Sequence, residues 1–302
     1  MSAPMTDPLA GLDSIDWSQL THAYGPADDV PVLLRQLQST DPEIYLTALD
    51  ECWSSIYHQG TRYSASTQAV PFLYSLLNHE ATKNRSNLLY LIVAIAIGHP
   101  DWCVPNGLRV AEWEKRITGM EEKDRKYALE EFKSYEAVER GLSSIVHCLN
   151  EESAAMRATA VHALAFFPRQ LETTVPALLD LLSREICKPV RGTAVLALAI
   201  LFASLEDNSK RSSITQQIQD YHDACCDTGV EDIYSWSCVL ALLILDVVQK
   251  ELVEKAGRVL TDEDYLSELN ASIEPDDSFP FDMLDLRDLA RAVLKRAGIS
   301  IT

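Results

Sequence analysis

A chain of 302 residues, 47% of them hydrophobic and 24% charged, can bury a large core in one elongated domain or two compact ones. Its 26 basic and 45 acidic residues leave a formal charge of −19. Such a chain repels phosphate backbones, and with no basic stripe in the sequence, nucleic acid is set aside as a partner. With only 11 glycines and seven scattered cysteines without a CxxC, it suits a reduced, cytoplasmic, helix-rich protein better than a turn-dense β architecture.

Residues 1–27 read as an N-terminal cap. Their opening, "MSAPMTDPLAGLDSIDW", has neither a basic n-region nor an apolar h-region, so no signal peptide is expected. Residues 28–98 hold two helix pairs. "VPVLLRQL" at Val30 starts the first, and Asp41-Pro42 starts its second helix with an N-cap carboxylate and a proline at the first helical position. "LTALDECWSSIYH" continues that helix, with His58 in its last turn and Gly60 as a left-handed C-cap. "VPFLYSLL" at Val70 opens the next pair. If that helix starts near Ser66, Pro71 falls late in its first turn and kinks it. "LLYLIVAIAIG" (Leu88–Gly98) and "GTAVLALAILFASL" (Gly192–Leu205) are shorter than the roughly 20 apolar residues that cross a bilayer. They read as helices buried on most sides, and no membrane partner is expected.

Residues 99–133 form an insertion, opened by "HPDWCVPNG" and continued by a charged helix. Residues 134–205 hold two further pairs, the second led by Thr174-Val175-Pro176 as a looser N-terminal signal. Residues 206–302 are a divergent helical remainder. It starts with a loop, "EDNSKRSS", has helices near 213–226, 231–256 and 282–297, and carries a loop at "NASIEPDDSFPFD".

Repetition ties these elements together. "RATAVHALA" (Arg157–Ala165) and "RGTAVLALA" (Arg191–Ala199) match at seven of nine positions, 34 residues apart. A Val-Pro-x-Leu opening recurs at Val30, Val70 and Val175. Each unit is an amphipathic helix, a polar turn and a more apolar helix, which is the signature of a stacked array. The Val-Pro-x-Leu first helices and the Val190-Arg191-Gly192-Thr193-Ala194 second helix resemble the HEAT/armadillo-type helical repeat family. "WSQLTHAYGPADDVPVLLRQL", "SSIYHQGTRYSASTQAVPFLYSLL" and "YEAVERG" resemble a group of microbial HEAT-repeat domain proteins. The resemblance implies an all-α fold, a HEAT-like α-solenoid of stacked antiparallel helix pairs in one continuous domain, and a binding or scaffold role. In that family an arginine at the Arg157 and Arg191 positions braces a neighbouring acidic residue.

Candidate chemistry concentrates in two polar-aromatic connections, "HAYGPADD" and "YHQGTRY". They offer His22, Tyr24, Trp53, His58, Gln59, Arg62 and Tyr63 as binding residues that share one edge, with Asp28 or Asp29 capping the helix after the first. A helix-end histidine and a C-cap glycine account for His58 and Gly60 without any function. Cys52 and His58 lie six apart and point to different faces of a helix, which disfavours a cysteine nucleophile. His222 and Cys226 in "YHDACCD" form an i, i+4 pair, but a zinc site needs ligands from a second segment and none is apparent. No phosphate-loop motif occurs. No catalytic residue, metal or cofactor is assigned.

The expected function is a non-catalytic scaffold that holds a protein or peptide partner, with a basic partner favoured by the acidity and an immunity-type role as one form. The alternative is a lyase- or cyclase-type enzyme with a small molecule in the solenoid groove, lined by Trp17, Tyr24, Trp53, Tyr57 and Tyr63. The acidity itself also has a simpler reading as a solvated surface.

Overall fold

The computed structural model describes residues 7–99, 104–205, 208–229, 231–274, 278–282 and 285–300. The fold is all-α, with fifteen α-helices and two very short β-hairpins among the described residues. No helix among them is long and apolar enough to cross a membrane. The chain forms two compact units, Met1–Pro100 with Ala111–Ile145, and Asp101–Val110 with Val146–Thr302.

In the first unit, two 3₁₀ turns at Leu12–Ser14 and Trp17–Gln19 lead to strands β1 (Thr21–His22) and β2 (Gly25–Pro26). Trp17 is core: its ring is buried against Phe72 and its indole N–H donates to Leu12 O at 3.0 Å. It packs in the core, where an indole with its one donor satisfied is best kept from water. Helices α1 (Val30–Gln36) and α2 (Pro42–Ser55) follow, and Asp41 caps α2 as predicted, accepting from the Glu43 N–H at 2.9 Å. Strands β3 (Tyr57–His58) and β4 (Thr61–Arg62) separate α2 from α3 (Ser64–Leu77) and α4 (Arg85–Ile97).

Pro71 sits in the middle of α3, not in its first turn. Every residue of α4 from Leu88 to Ile97 except Tyr90 is buried. Helix α4 lies against α3 and against the long α6. In the segment expected to be an insertion, α5 (Val110–Thr118) presents Trp113 to Phe132 and Tyr135 of α6 (Glu122–Arg140), with ring centroids 5.2 and 5.6 Å apart. Helix α6 passes position 133 without a break. The Tyr74 hydroxyl donates to Val138 O at 2.7 Å, and its ring fills the space where a side chain on Gly141 would stand. Pro100 to Cys103, within "HPDWCVPNG", lie outside the described residues.

Helix α7 (Leu142–Cys148) leads into the second unit. Its core is a stack of three apolar helices, α8 (Ala154–Leu164), α10 (Lys188–Ala203) and α12 (Ile233–Ile244), with α10 packed against both others. The two matching stretches of sequence thus lie on α8 and α10, which touch. Gly192 of α10 replaces Ala158 of α8 because α12 approaches closely there: a Cβ at Gly192 would come within 2.7 Å of Ser237 Oγ. Arg157 binds the buried Glu185 at 2.6 Å, as the family resemblance implies. Arg191 pairs with no acidic residue among the described residues. Its guanidinium lies 4.1 Å from the Tyr234 ring centroid and donates to the Tyr234 hydroxyl at 3.1 Å.

Helix α9 (Leu171–Arg184) begins before Thr174-Val175-Pro176, so that segment is helix interior and not its start. Thr174 donates its hydroxyl to Gln170 O at 3.0 Å, a back-bond that suits a mid-helix threonine. Helix α11 (Asn208–Thr228) starts within the expected "EDNSKRSS" loop, of which Glu206 and Asp207 lie outside the described residues. The helix expected over 231–256 is two, α12 and α13 (Lys250–Gly257), broken where Asp246 takes a φ of 66°. Helix α14 (Glu263–Ala271) was not expected, and α15 (Leu286–Arg296) closes the described chain. In the expected loop at "NASIEPDDSFPFD", residues Pro275 to Asp277 lie outside the described residues.

Candidate functional site

The stretch from Tyr57 to Arg62 is a β-hairpin, not a helix C-cap. Helix α2 stops at Ser55, Tyr57 pairs with Arg62, and His58 pairs with Thr61. The two turn residues, Gln59 and Gly60, have φ of 48° and 85°. Positive φ at both positions is the two-residue turn whose twist matches paired strands. Gly60 has no Cβ to strain there, whereas Gln59 bears the cost that asparagine or glycine would avoid. Gly60→Val should destabilise the first unit by about 1–3 kcal/mol. The change forces a β-branched residue into left-handed backbone and places its Cβ about 2.8 Å from the His99 ring. A urea titration measures this, and an unchanged midpoint would count against the turn assignment.

The second polar-aromatic segment is also a hairpin. Thr21 pairs with Pro26, and His22 pairs with Gly25. The first hairpin is fastened to the helix ends that flank the second: Ala23 N–H donates to Ser55 O at the end of α2, at 3.1 Å, and Thr21 N–H donates to Ser64 Oγ at the start of α3, at 2.8 Å. Ser66 Oγ accepts from Tyr63 N–H at 2.7 Å and donates to Ile56 O, which locks the start of α3 under the second hairpin.

His22, Tyr24 and His58 are thereby brought together. The Tyr24 ring lies edge-on to both histidines, with centroids 6.0 Å from His22 and 5.6 Å from His58. Each imidazole is fixed by its bonds. Tyr24 N–H donates to His22 Nδ1 at 3.0 Å, so the His22 proton sits on Nε2, which donates to Asp29 Oδ1 at 2.9 Å. Asp29 stands at the N-cap position of α1, yet its side chain serves His22 and caps nothing. His58 Nδ1 donates to Ser54 O at 3.0 Å, leaving Nε2 as its remaining hydrogen-bonding atom.

Tyr24 is 67% exposed in spite of these contacts. Tyr127, on the charged helix α6, is 60% exposed. Burial pushes the half-buried Tyr63 phenol above its usual pKa, with Tyr127 and then Tyr24 adding to the rise and a hydrogen bond with Thr61 opposing it. Three phenols therefore share one electrostatic neighbourhood. Tyr127 carries no local sequence signal beyond an aromatic residue among charges.

The remaining expected residues divide. Gln59 is exposed at the turn. Adjacent strand residues face opposite sides, so Tyr57 points away from His58 and packs edge-on against Trp53, at 5.1 Å, and His99, at 6.4 Å. Trp53 thus belongs to the far side of the second hairpin. Arg62 does not offer itself to a partner: it is 3% exposed, donates to Gly60 O and lies 3.7 Å from Glu131. Its guanidinium holds the turn closed.

Other chemistry is ordinary. Cys52 is fully buried, and its thiol is pushed up to about 12, first by burial and then by Asp29 and Glu51, so it carries no thiolate at neutral pH. His222 Nε2 lies 3.6 Å from Cys226 Sγ, but no group of three or more His, Cys, Asp or Glu side chains among the described residues could hold a metal ion. Comparison with protein-family models, with curated proteins and with solved structures finds no match.

Proposed function

We propose that the chain is a non-catalytic binding protein that holds a basic segment of a protein or peptide partner on the edge formed by its two hairpins. The observation that carries this reading is Tyr24: a large aromatic ring held at a turn by two oriented histidines and left 67% exposed. A monomeric fold gains little from presenting such a ring to water. A ring of this kind offers its face to a lysine or arginine side chain, a contact worth about 0.5–2 kcal/mol. Tyr63 and Tyr127 extend the surface, and a chain of charge −19 steers cations toward it. In this reading the stacked α8, α10 and α12 belong to a HEAT-like solenoid, and an immunity-type role against a basic toxin is one concrete form of the function.

The test is a pair of purifications from native cells, one with the wild-type chain and one with Tyr24→Ala. The wild type should retain a stoichiometric basic partner that is released by salt, and the variant should lose it. Equal retention by both, or a partner held independently of salt, would contradict the proposed edge.

A further inference from the structure

The second unit contains a different kind of site. A pocket of about 370 Å³ is lined by Arg211, Ser212, Thr215 and Gln216 of α11 and by Leu245 and Asp246 at the end of α12. Arg211 donates to Asp246 Oδ2, while Arg296 of α15 reaches Asp246 Oδ1 at 3.6 Å and Ile244 O at 2.7 Å. Two guanidiniums from separate helices therefore converge on the two oxygens of one carboxylate. Both are mostly shielded, with side chains 19% and 16% exposed. The Arg296 Nε is buried without a hydrogen-bond partner. Burial lowers the Arg296 pKa from its ordinary value; Asp246 opposes that, and Arg211 and Arg109 reinforce it, so Arg109 is a third cation within electrostatic reach. Two arginines on one carboxylate are a local excess of positive charge in a chain of charge −19.

Asp246 occupies a costly backbone position. The N–H groups of Asp246 and Val247 donate to Leu243 O and Leu242 O, closing α12 with the left-handed turn that glycine or asparagine fills most cheaply. In return, the aspartate supplies a carboxylate to two arginines from separate helices. It acts as an internal oxyanion in a fork suited to binding one. A dianion competes with a single carboxylate for such a fork, and a monoanion does so poorly. The pocket beside it has the volume of a small-molecule site and polar walls.

We infer that Arg211 and Arg296 form a binding site for the phosphate group of a small phosphate monoester, which displaces Asp246 from the fork. This site is independent of the hairpin edge and of its partner.

Calorimetric titration of the full-length chain at constant ionic strength tests it, with inorganic phosphate, glycerol 3-phosphate, acetate and a phosphoserine peptide as probes. Phosphate and glycerol 3-phosphate should bind saturably and acetate should not. Asp246→Asn keeps a residue that tolerates left-handed backbone and removes the competing charge, so it should tighten glycerol 3-phosphate binding about tenfold. Arg211→Gln should abolish binding. If Arg211→Gln does not fold, the Asp246→Asn result decides. The inference is overturned if neither phosphate probe binds wild type or Asp246→Asn. It is also overturned if Asp246→Asn leaves affinity unchanged or weaker, or if the peptide alone binds.

Discussion

Glu185→Gln should lower the stability of the second unit by about 3 kcal/mol or more, the cost of removing one charge from a buried ion pair. Glu185 sits between α9 and α10 with its side chain 4% exposed. Arg157 grips both its oxygens, Nε to Oε2 at 2.6 Å and an Nη to Oε1 at 3.0 Å. The N–H groups of Ile186 and Cys187 donate to Oε1 at 3.0 and 2.9 Å. Glutamine presents one oxygen and an amino group to this set of donors. At least one donor then faces another donor, and the negative charge opposite the Arg157 guanidinium is lost. Burial alone would raise the Glu185 pKa; the bonds from Arg157 and from the Cys187 and Ile186 N–H groups outweigh it, and the net shift is downward from 4.5. A depressed carboxyl contributes its stability above the unfolded pKa and loses it as pH falls through the folded one. The gap between wild type and variant in urea titrations should therefore be full at pH 7 and shrink below about pH 4.5. A gap under about 0.5 kcal/mol at pH 7 would mean that the pair only breaks even against its desolvation.

The second large effect is an acid sensitivity centred on one histidine. His162, in the last turn of α8, is buried between Phe166 and Phe281, with ring centroids 5.1 and 4.8 Å away. Burial lowers its pKa from 6.5 to about 3. In the folded chain it stays neutral across a range in which the unfolded chain takes up a proton. Its contribution is thus complete above about pH 6.5 and is lost progressively as pH falls toward 3. The slope in that window is about 1.4 kcal/mol per pH unit from this one group. His162→Leu should remove that slope, so that wild type and variant diverge in relative stability between pH 6 and pH 4. Parallel stability–pH curves for the two proteins would show that His162 charges within the fold.

The sequence made much of this readable, for physical reasons that differ from place to place. Apolar spacing found α4 and α10 because both are buried on nearly all sides. The repeated stretches from Arg157 and Arg191 found two helices that touch, because a similar packing environment asks for similar residues. Asp41-Pro42 was legible as a cap because its chemistry is entirely local. The hairpin at Gln59-Gly60 was hidden: its signal is usually Asn-Gly or Asp-Gly, and glutamine at the first position made Gly60 look like the end of a helix. The break at Asp246 was hidden likewise, since neither glycine nor proline marks it. Pro176 misled because it resembles a first-turn proline, while Leu171 to Val175 already wind the helix ahead of it. The partner of Arg191 is an aromatic residue 43 positions away, and Tyr127 reaches the hairpins only through the packing of α6, so neither could be found from local spacing.

On the proposed function, Tyr24 serves binding and contributes little to folding. The direct measurement is fluorescence titration of a lysine- and arginine-rich peptide into wild type, Tyr24→Phe and Tyr24→Ala, each with its melting temperature. Phenylalanine keeps the ring face and should bind within a few-fold of wild type. Alanine should weaken binding about tenfold, in line with one cation–π contact, while melting within a few degrees of wild type. If Tyr24→Ala binds the peptide as tightly as wild type, or if it loses several kcal/mol of stability, the exposed ring is a structural element of the hairpin pair and the proposed binding edge is wrong.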